Sequence, residues 1–286
     1  MSAAIIDGKN IAAEIKEELK KEAAELAGAG IQPSLAVIIV GQNPGSQIYV
    51  RNKKRTAEEI GIRSIVHELE EKTKQEEIIN IIEKLNKDES VHGILVQLPL
   101  PRHIDERTIT MAIDPQKDVD GFHPTNIGKM IIGEKSFLPC TPAGIIELLK
   151  RSDIPIAGQN AVIVGRSNIV GKPTALLLLK EDATVTICHS KTSDLCACLR
   201  TADIIIAAVG KAEIIKANMV KPGAAVIDVG INRTSEGKIV GDVDFENVKE
   251  IAGAITPVPG GVGPMTIAML MRNTVLAAKT ILNSKF

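Results

Sequence analysis

Short apolar runs alternate with amphipathic stretches through almost the whole chain, a pattern that predicts an α/β protein built on mostly parallel sheets. The first block reads as a helix near 10–28, a strand near 34–41, a helix carrying Tyr49 and Lys53 to about residue 60, and a strand near 62–68. Thr73-Lys-Gln-Glu76 has capping-box spacing, so a helix is expected to open at Thr73 and run to about Lys87. The apolar strand 92–97 follows. The prolines of Leu98-Pro-Leu-Pro101 bring no amide hydrogen to a ladder, so the strand ends there. Gln97 therefore falls at a strand's C-terminal edge, where open α/β sheets hold ligands.

Residues 112–140 are turn-rich, and 141–151 reads as a helix joining this block to a second one. Strands are expected there at 161–165, 184–188, 204–209 and 225–229, with a short fifth at 254–256 before a Gly/Pro-rich loop. A long apolar helix from 265 to about 282 is expected to return to the first block. The fold class is thus two α/β domains, the second a Rossmann-like doubly wound parallel sheet. Residues 1–138 with 265–286 form one domain in this reading, and 139–264 the other.

Composition narrows the partners. At 286 residues, 44% hydrophobic and 24% charged, the chain has room for two sizeable cores and is too apolar for disorder. With 34 basic residues against 35 acidic and a pI near 6.5, no overall field draws it to nucleic acid or an anionic membrane, so a small molecule is the expected partner. The apolar runs 35–40 and 175–179 fall far short of the roughly 18 residues a membrane span needs. The start, Met-Ser-Ala-Ala-Ile-Ile-Asp, lacks the basic start and apolar core of a signal peptide, and the cytoplasm is the expected compartment. Cys140, Cys188, Cys196 and Cys198 read as buried thiols, because Cys-x-Cys without a second pair is weak metal evidence. The histidines show no ligand spacing, and no metal is assigned.

Candidate chemistry begins at Tyr49, the only tyrosine, four positions before Lys53. That step puts both polar tips on one helix face, and a hydroxyl contact, loss of water or a nearby cation can each bring a lysine's pKa toward neutrality. On its own the pair reads more readily as a half-buried Tyr over a solvated Lys than as a proton-handling pair. Val162-Ile-Val-Gly165-Arg-Ser-Asn-Ile-Val-Gly171 is a strand, a tight turn and a helix start, the arrangement that offers backbone amides to a pyrophosphate. It is not G-x-G-x-x-G, since Ser167 and Val170 stand where glycines would. The next strand ends in Cys188-His-Ser-Lys-Thr192, without the carboxylate that would bind a ribose 2′-hydroxyl. Arg166, Ser190 and Lys191 there favour a 2′-phosphate, hence NADP over NAD. Asp120 reads either as a ligand group or as a turn-capping Asp. A calcium loop is excluded, because Phe122 and Lys129 occupy positions that need oxygen ligands.

Longer strings carry a resemblance. Tyr49-x-x-x-Lys53, Gly93-Ile-Leu-Val-Gln-Leu-Pro-Leu-Pro101, Lys117-Asp-Val-Asp-Gly-Phe-His-Pro124, Pro139-Cys-Thr-Pro-Ala-Gly144, Gly165-Arg-Ser-Asn-Ile-Val-Gly-Lys-Pro173, Val226-Ile-Asp-Val-Gly-Ile-Asn232 and Thr256-Pro-Val-Pro-Gly-Gly-Val-Gly-Pro-Met-Thr266 occur in this order. Nearly end to end, the chain resembles the bifunctional methylenetetrahydrofolate dehydrogenase/methenyltetrahydrofolate cyclohydrolase family, often called FolD. Departures are slight: Gln42-Asn43 stands where the family often has acidic residues, and Gly45 where Ala is common.

The resemblance implies a folate substrate, NADP as cofactor, a cleft between the two domains and a homodimer built through the nucleotide domains. It implies oxidation of 5,10-methylenetetrahydrofolate by hydride transfer to NADP, then hydrolysis of the methenyl form to 10-formyltetrahydrofolate. Lys53 is implied as the cyclohydrolase residue, positioned with the substrate by Tyr49 and Gln97, while Asp120 hydrogen-bonds the pterin. Val50, Arg51 and Asn52 on the same helix, and Val96 and Leu98 beside Gln97, are implied substrate contacts. So is the loop Pro259, Gly260, Gly261, Val262, Gly263, Pro264, Met265, Thr266 and Ile267. Gly165, Arg166, Ser167, Ser190 and Ile231 are the implied NADP contacts. Tyr-x-x-x-Lys also marks short-chain dehydrogenases, but there the nucleotide turn precedes the pair, whereas here it follows by more than a hundred positions.

Overall fold

The computed structural model describes residues 2–284. The chain runs β1 (Ala4–Ile5), α1 (Gly8–Gly28), β2 (Ser34–Val40), α2 (Pro44–Ile60), β3 (Arg63–Leu69), α3 (Gln75–Lys87), β4 (Gly93–Val96), α4 (Glu106–Ala112), α5 (Pro124–Ile131) and α6 (Cys140–Arg151). It continues through β5 (Asn160–Val164), α7 (Gly171–Lys180), β6 (Thr184–Cys188), α8 (Leu195–Arg200), β7 (Ile204–Ala207), β8 (Ala225–Asp228), β9 (Asn232–Arg233), β10 (Ile239–Val240), α9 (Phe245–Val248), β11 (Ala254–Ile255) and α10 (Val262–Ser284). Two compact units result. One comprises the chain up to Ala13 with Thr141–Thr266, the other Glu14–Cys140 with Ile267 onward.

The unit containing Thr141–Thr266 is built on a six-stranded sheet in the order β1-β11-β8-β7-β5-β6, with every neighbouring pair parallel. β7 and β8 are buried along their whole length, as parallel strands covered on both faces must be. Strand order reverses between β5 and β7, the place where such sheets take ligands. The segment up to Ala13, expected with the first domain, belongs here instead. Its cause is β1, a two-residue strand that pairs with β11 through Ala4 opposite Ala254 and Ile5 opposite Ile255. A β9–β10 hairpin, unforeseen because its strands have only two residues each, projects after β8.

The other unit holds a three-stranded parallel sheet, β3-β2-β4, with every residue of the central strand buried. Ile38, Ile78, Ile82, Ile94 and Ile109 form the heart of one core cluster. The start of α2 is written locally: Asn43 accepts a hydrogen bond from Ser46 N, and Pro44 occupies the first turn. Its end is equally local, at Gly61 in the left-handed region (φ 88°). The capping box at Thr73 does not form. Lys74 is the N-cap of α3 and offers no side-chain bond, so the helix starts two residues late. The turn-rich region contains α5, and α4 lies just before it. Asp105 accepts from Thr108 N to start α4, and His123 Nδ1 accepts from Thr125 N ahead of Pro124 to start α5.

Two polar ties hold this unit's irregular segment. Asn273 on α10 donates to Val119 O (2.8 Å) and Leu138 O (3.0 Å). The buried Lys117 donates to Leu85 O (2.8 Å) and Asp88 O (2.7 Å), closing the C-terminal end of α3 where carbonyls lack helical partners. Replacing Lys117 by Met strips both carbonyls of a charged donor. It is expected to cost about 1.5–3 kcal/mol, read as a lower urea midpoint with an unchanged circular dichroism spectrum.

Candidate active site

Along α2 the buried positions are Ser46, Val50, Lys53, Thr56, Ala57 and Ile60, a stripe of helical period in which Lys53 is the only formal charge. Lys53 is 8% exposed, and its Nζ donates to Gln97 Oε1 at 2.9 Å. Gln97 stands one residue past β4, with its main chain anchored through Gln97 N to Ile38 O and its side-chain Nε2 donating to Leu98 O (2.7 Å). With the amide nitrogen committed there, the amide oxygen faces the lysine. Burial pushes the Lys53 amine below its ordinary value of 10.5, while nearby Asp120 pulls it back up. Among the described residues the two make no ion-pair contact, so Asp120 acts through space.

Part of Asp120 remains accessible, yet its carboxyl group lies deep in the unit, and burial raises its pKa against the lowering influence of Lys53. Turn capping falls to Asp118 instead. Its Oδ2 accepts from His123 N (2.7 Å) and Asn126 Nδ2 (2.9 Å), and its Oδ1 from Phe122 N (3.3 Å). Burial nonetheless lifts the Asp118 carboxyl to about 6. Gly121 completes the turn at φ +78°, where an added Cβ would lie 2.6 Å from the Leu138 carbonyl carbon. Thus Asp118 builds the loop, and among the described residues no main-chain donor meets the Asp120 carboxylate. A narrow cavity beside Asp120 is lined by Val96, Leu98, Glu106, Ile109 and Phe122.

Cys140, read from sequence only as a buried thiol, lies next to this group: its Sγ donates to Val119 O (3.3 Å), and Asp120 and Lys53 both bear on its ionisation. Burial, the largest influence, pushes the thiol well up, so it stays protonated. Nothing in Cys-Thr-Pro distinguished it. Tyr49 is 39% exposed one turn before Lys53, and no hydrogen bond joins it to Lys53 or Gln97 among the described residues. Val50 and Val96 are buried, Val96 also lining the cavity beside Asp120, while Arg51 is exposed and Asn52 and Leu98 half-buried.

The segment expected to be a loop from 259 to 267 is mostly helix. Pro259, Gly260 and Gly261 form the turn; Val262, Gly263, Pro264, Met265, Thr266 and Ile267 are the first turns of α10. Val262 and Met265 are buried, and Thr266 hydroxyl meets that of Thr141 at 2.8 Å. Apart from Ile267, these residues belong to the other unit.

In that unit the turn after β5 fits a dinucleotide pyrophosphate. Gly165 has φ +130°, and a Cβ there would sit 2.1 Å from Ala208 O at the end of β7. Ser167 Oγ accepts from Val170 N (3.1 Å) and Gly171 N (3.2 Å), so the first amides of α7 are capped rather than free. Uncommitted amides lie earlier: among the described residues those of Arg166, Ser167, Asn168 and Ile169 donate to no protein group and are open to an anion. Opposite, the turn after β6 is pre-folded by His189 N on Thr192 Oγ1 and Lys191 N on His189 Nδ1. Arg166, Ser190 and Lys191 are exposed, as is Ile231.

A Rossmann-like sheet with a turn that fits a pyrophosphate, and a dehydrated lysine set against a glutamine and a carboxylate, define the class as a dinucleotide-dependent α/β enzyme. The catalytic domain of tetrahydrofolate dehydrogenase/cyclohydrolase matches residues 6–120 and its NAD(P)-binding domain residues 139–282; the chain belongs to this family. The bifunctional protein FolD of Acetivibrio thermocellus is 60% identical over 279 residues, 98% of each chain. The crystal structure of the bifunctional FolD methylenetetrahydrofolate dehydrogenase/cyclohydrolase of Campylobacter jejuni is 54% identical, covers 98% of this chain and 100% of its own, and superposes with a TM-score of 0.96. The Trypanosoma brucei enzyme, solved with NADP cofactor and an inhibitor, is 40% identical over 99% of both chains with a TM-score of 0.94.

Gly165→Ala drives a methyl group into Ala208 O and requires a strained backbone. It is expected to weaken NADPH binding at least tenfold, measured by equilibrium fluorescence titration, while the Lys53 site stays intact.

Proposed function

We propose that the chain oxidises 5,10-methylenetetrahydrofolate to the 5,10-methenyl form with NADP and then hydrolyses that form to 10-formyltetrahydrofolate. The observation that carries the second activity is the dehydrated Lys53 amine held on Gln97 Oε1. When bound, NADP supplies the acceptor for the hydride that leaves the methylene carbon. That step asks no proton of the chain, because the pterin nitrogens stabilise the resulting cation. The chain's share is orientation, which is a large part of such a barrier.

Hydrolysis differs: water's oxygen bonds to the methenyl carbon, the bond from that carbon to N5 breaks, and of water's two protons one ends on N5 while the other must be taken up. Lys53 accepts it. Loss of water around the amine favours the free base, and Gln97 fixes its direction. The cationic substrate favours the free base further, by repulsion. Asp120, with no main-chain donor on its carboxylate, hydrogen-bonds the pterin ring. Tyr49 flanks Lys53 and covers the substrate.

The folate role belongs to the unit with the three-stranded sheet, and the nucleotide role to the unit with the six-stranded sheet. Arg166, Ser190 and Lys191, with no carboxylate in the turn 188–192, support NADP over NAD. A dehydrogenase without the hydrolase step has no use for Lys53 and Gln97 in this arrangement. A homodimer through the six-stranded sheet is supported by its edge strand β6, where Ile187 is 39% exposed, and by Leu179 on the neighbouring helix α7, 59% exposed. The cytoplasm is the proposed compartment, supported by four cysteines that are all free thiols.

Lys53→Met is expected to abolish methenyl hydrolysis while retaining measurable hydride transfer. A two-stage absorbance assay reads this: NADPH formation first, then decay of the methenyl band. Hydrolysis at the parent rate would remove Lys53 from the mechanism.

A further inference from the structure

Two carboxylates in the six-stranded unit are buried without a cation. Asp242 is 0% exposed and Asp228 3%, and neither has a salt-bridge partner among the described residues. A buried charge of this kind persists only when hydrogen-bond donors replace its water. Asp242 Oδ2 accepts from Val209 N (2.7 Å) and Gly210 N (3.0 Å), and its Oδ1 from Lys211 N (2.9 Å) and Asn232 Nδ2 (2.9 Å). Three consecutive amides after β7 thus wrap one carboxylate as a backbone nest wraps an anion. Asp228, the last residue of β8, accepts through Oδ1 from Gly230 N and Asp242 N and through Oδ2 from Val243 N, each at 2.9 Å. Its own amide donates to Thr256 Oγ1 (2.8 Å) just past β11.

The glycines here exist for these carboxylates. A Cβ on Gly230 would lie 2.3 Å from Asp242 Oδ1, and one on Gly241 would lie 1.8 Å from Asp228 Oδ2. The pair therefore fastens together the segments that leave β7, β8 and β11 at the sheet's C-terminal edge, plus the β9–β10 hairpin. Ile231 sits between its two anchors, Gly230 bonded to Asp228 and Asn232 bonded to Asp242.

We propose that Asp242, supported by Asp228, is a positioning residue for the dinucleotide: it sets where the Val209–Gly210–Lys211 turn and Ile231 stand against bound NADP. The inference rests on the NADP reading above. Asp242 does not touch the cofactor in this scheme; it replaces solvent for four donors and so fixes two loops on one carboxylate. Asn at this position keeps one acceptor oxygen but turns an NH2 group toward amides that themselves donate.

The test is direct titration of the full-length protein with NADPH, together with steady-state kinetics. Asp242→Asn is expected to raise the NADPH Kd and the KM for NADP at least tenfold, while the KM for methylenetetrahydrofolate moves less than twofold. Asn232→Ala, which removes one donor and keeps the charge, is expected to weaken NADPH binding about threefold, and it decides the matter if Asp242→Asn does not fold. A parent protein that fails to bind NADPH would remove the nucleotide reading itself. A parent that binds, with folded variants that bind equally well or lose both KM values in parallel, overturns the positioning role alone.

Discussion

Taking the Lys53 amine out of water is the constraint around which the folate-side unit is arranged. Dehydration opposes the charged form, and an unmatched ammonium at this depth would be costly. Three features set its balance: Gln97 supplies one neutral acceptor, Asp120 supplies negative potential without contact, and the apolar neighbours on α2 exclude solvent. The balance requires that α2 begin and end at fixed places, which Asn43 and Gly61 ensure. It also requires that β4 stop at Val96, so that Gln97 turns out of the ladder.

Carboxylates do contrasting work in the two units. Asp118 consumes main-chain donors to shape the loop that presents Asp120, and Asp120 is left unsatisfied by the main chain, available to a ligand. In the six-stranded unit Asp242 and Asp228 are saturated by amides and present nothing, but they join loops that no regular ladder could join. The same residue type therefore stays open or becomes internal scaffold, according to whether backbone donors have already taken its lone pairs.

Much of this was legible in the chain itself, because it depends on local rules. Apolar runs located the main strands to within a residue or two, and the Leu98-Pro-Leu-Pro101 stop located Gln97. What sequence reasoning missed depends on tertiary partners. Two-residue strands such as β1 exist only because β11 lies beside them, so the segment up to Ala13 looked like part of the first domain. Thr73 had the spacing for a capping box, but the chain turned helical later, at Gln75. Asp118 and Asp120 could not be told apart by composition, since the difference is which one meets the amides of Phe122 and His123. Cys140 stood inside a family-like string without a role of its own, and its place beside Asp120 comes from a long-range fold contact. The short helices α4 and α5 did carry signals, Asp105 before Glu106 and His123 before Pro124, hidden by the density of turn residues around them.

The chemistry turns on the ionisation of one amine. An NMR titration of the Lys53 side chain, resolved by comparison with Lys53→Met, measures it in the parent protein and in Asp120→Asn. The predicted result is a parent pKa below the ordinary 10.5, lower still in Asp120→Asn once the supporting negative charge is gone. A parent lysine that titrates at its ordinary value, or one unmoved by the loss of Asp120, would contradict the account.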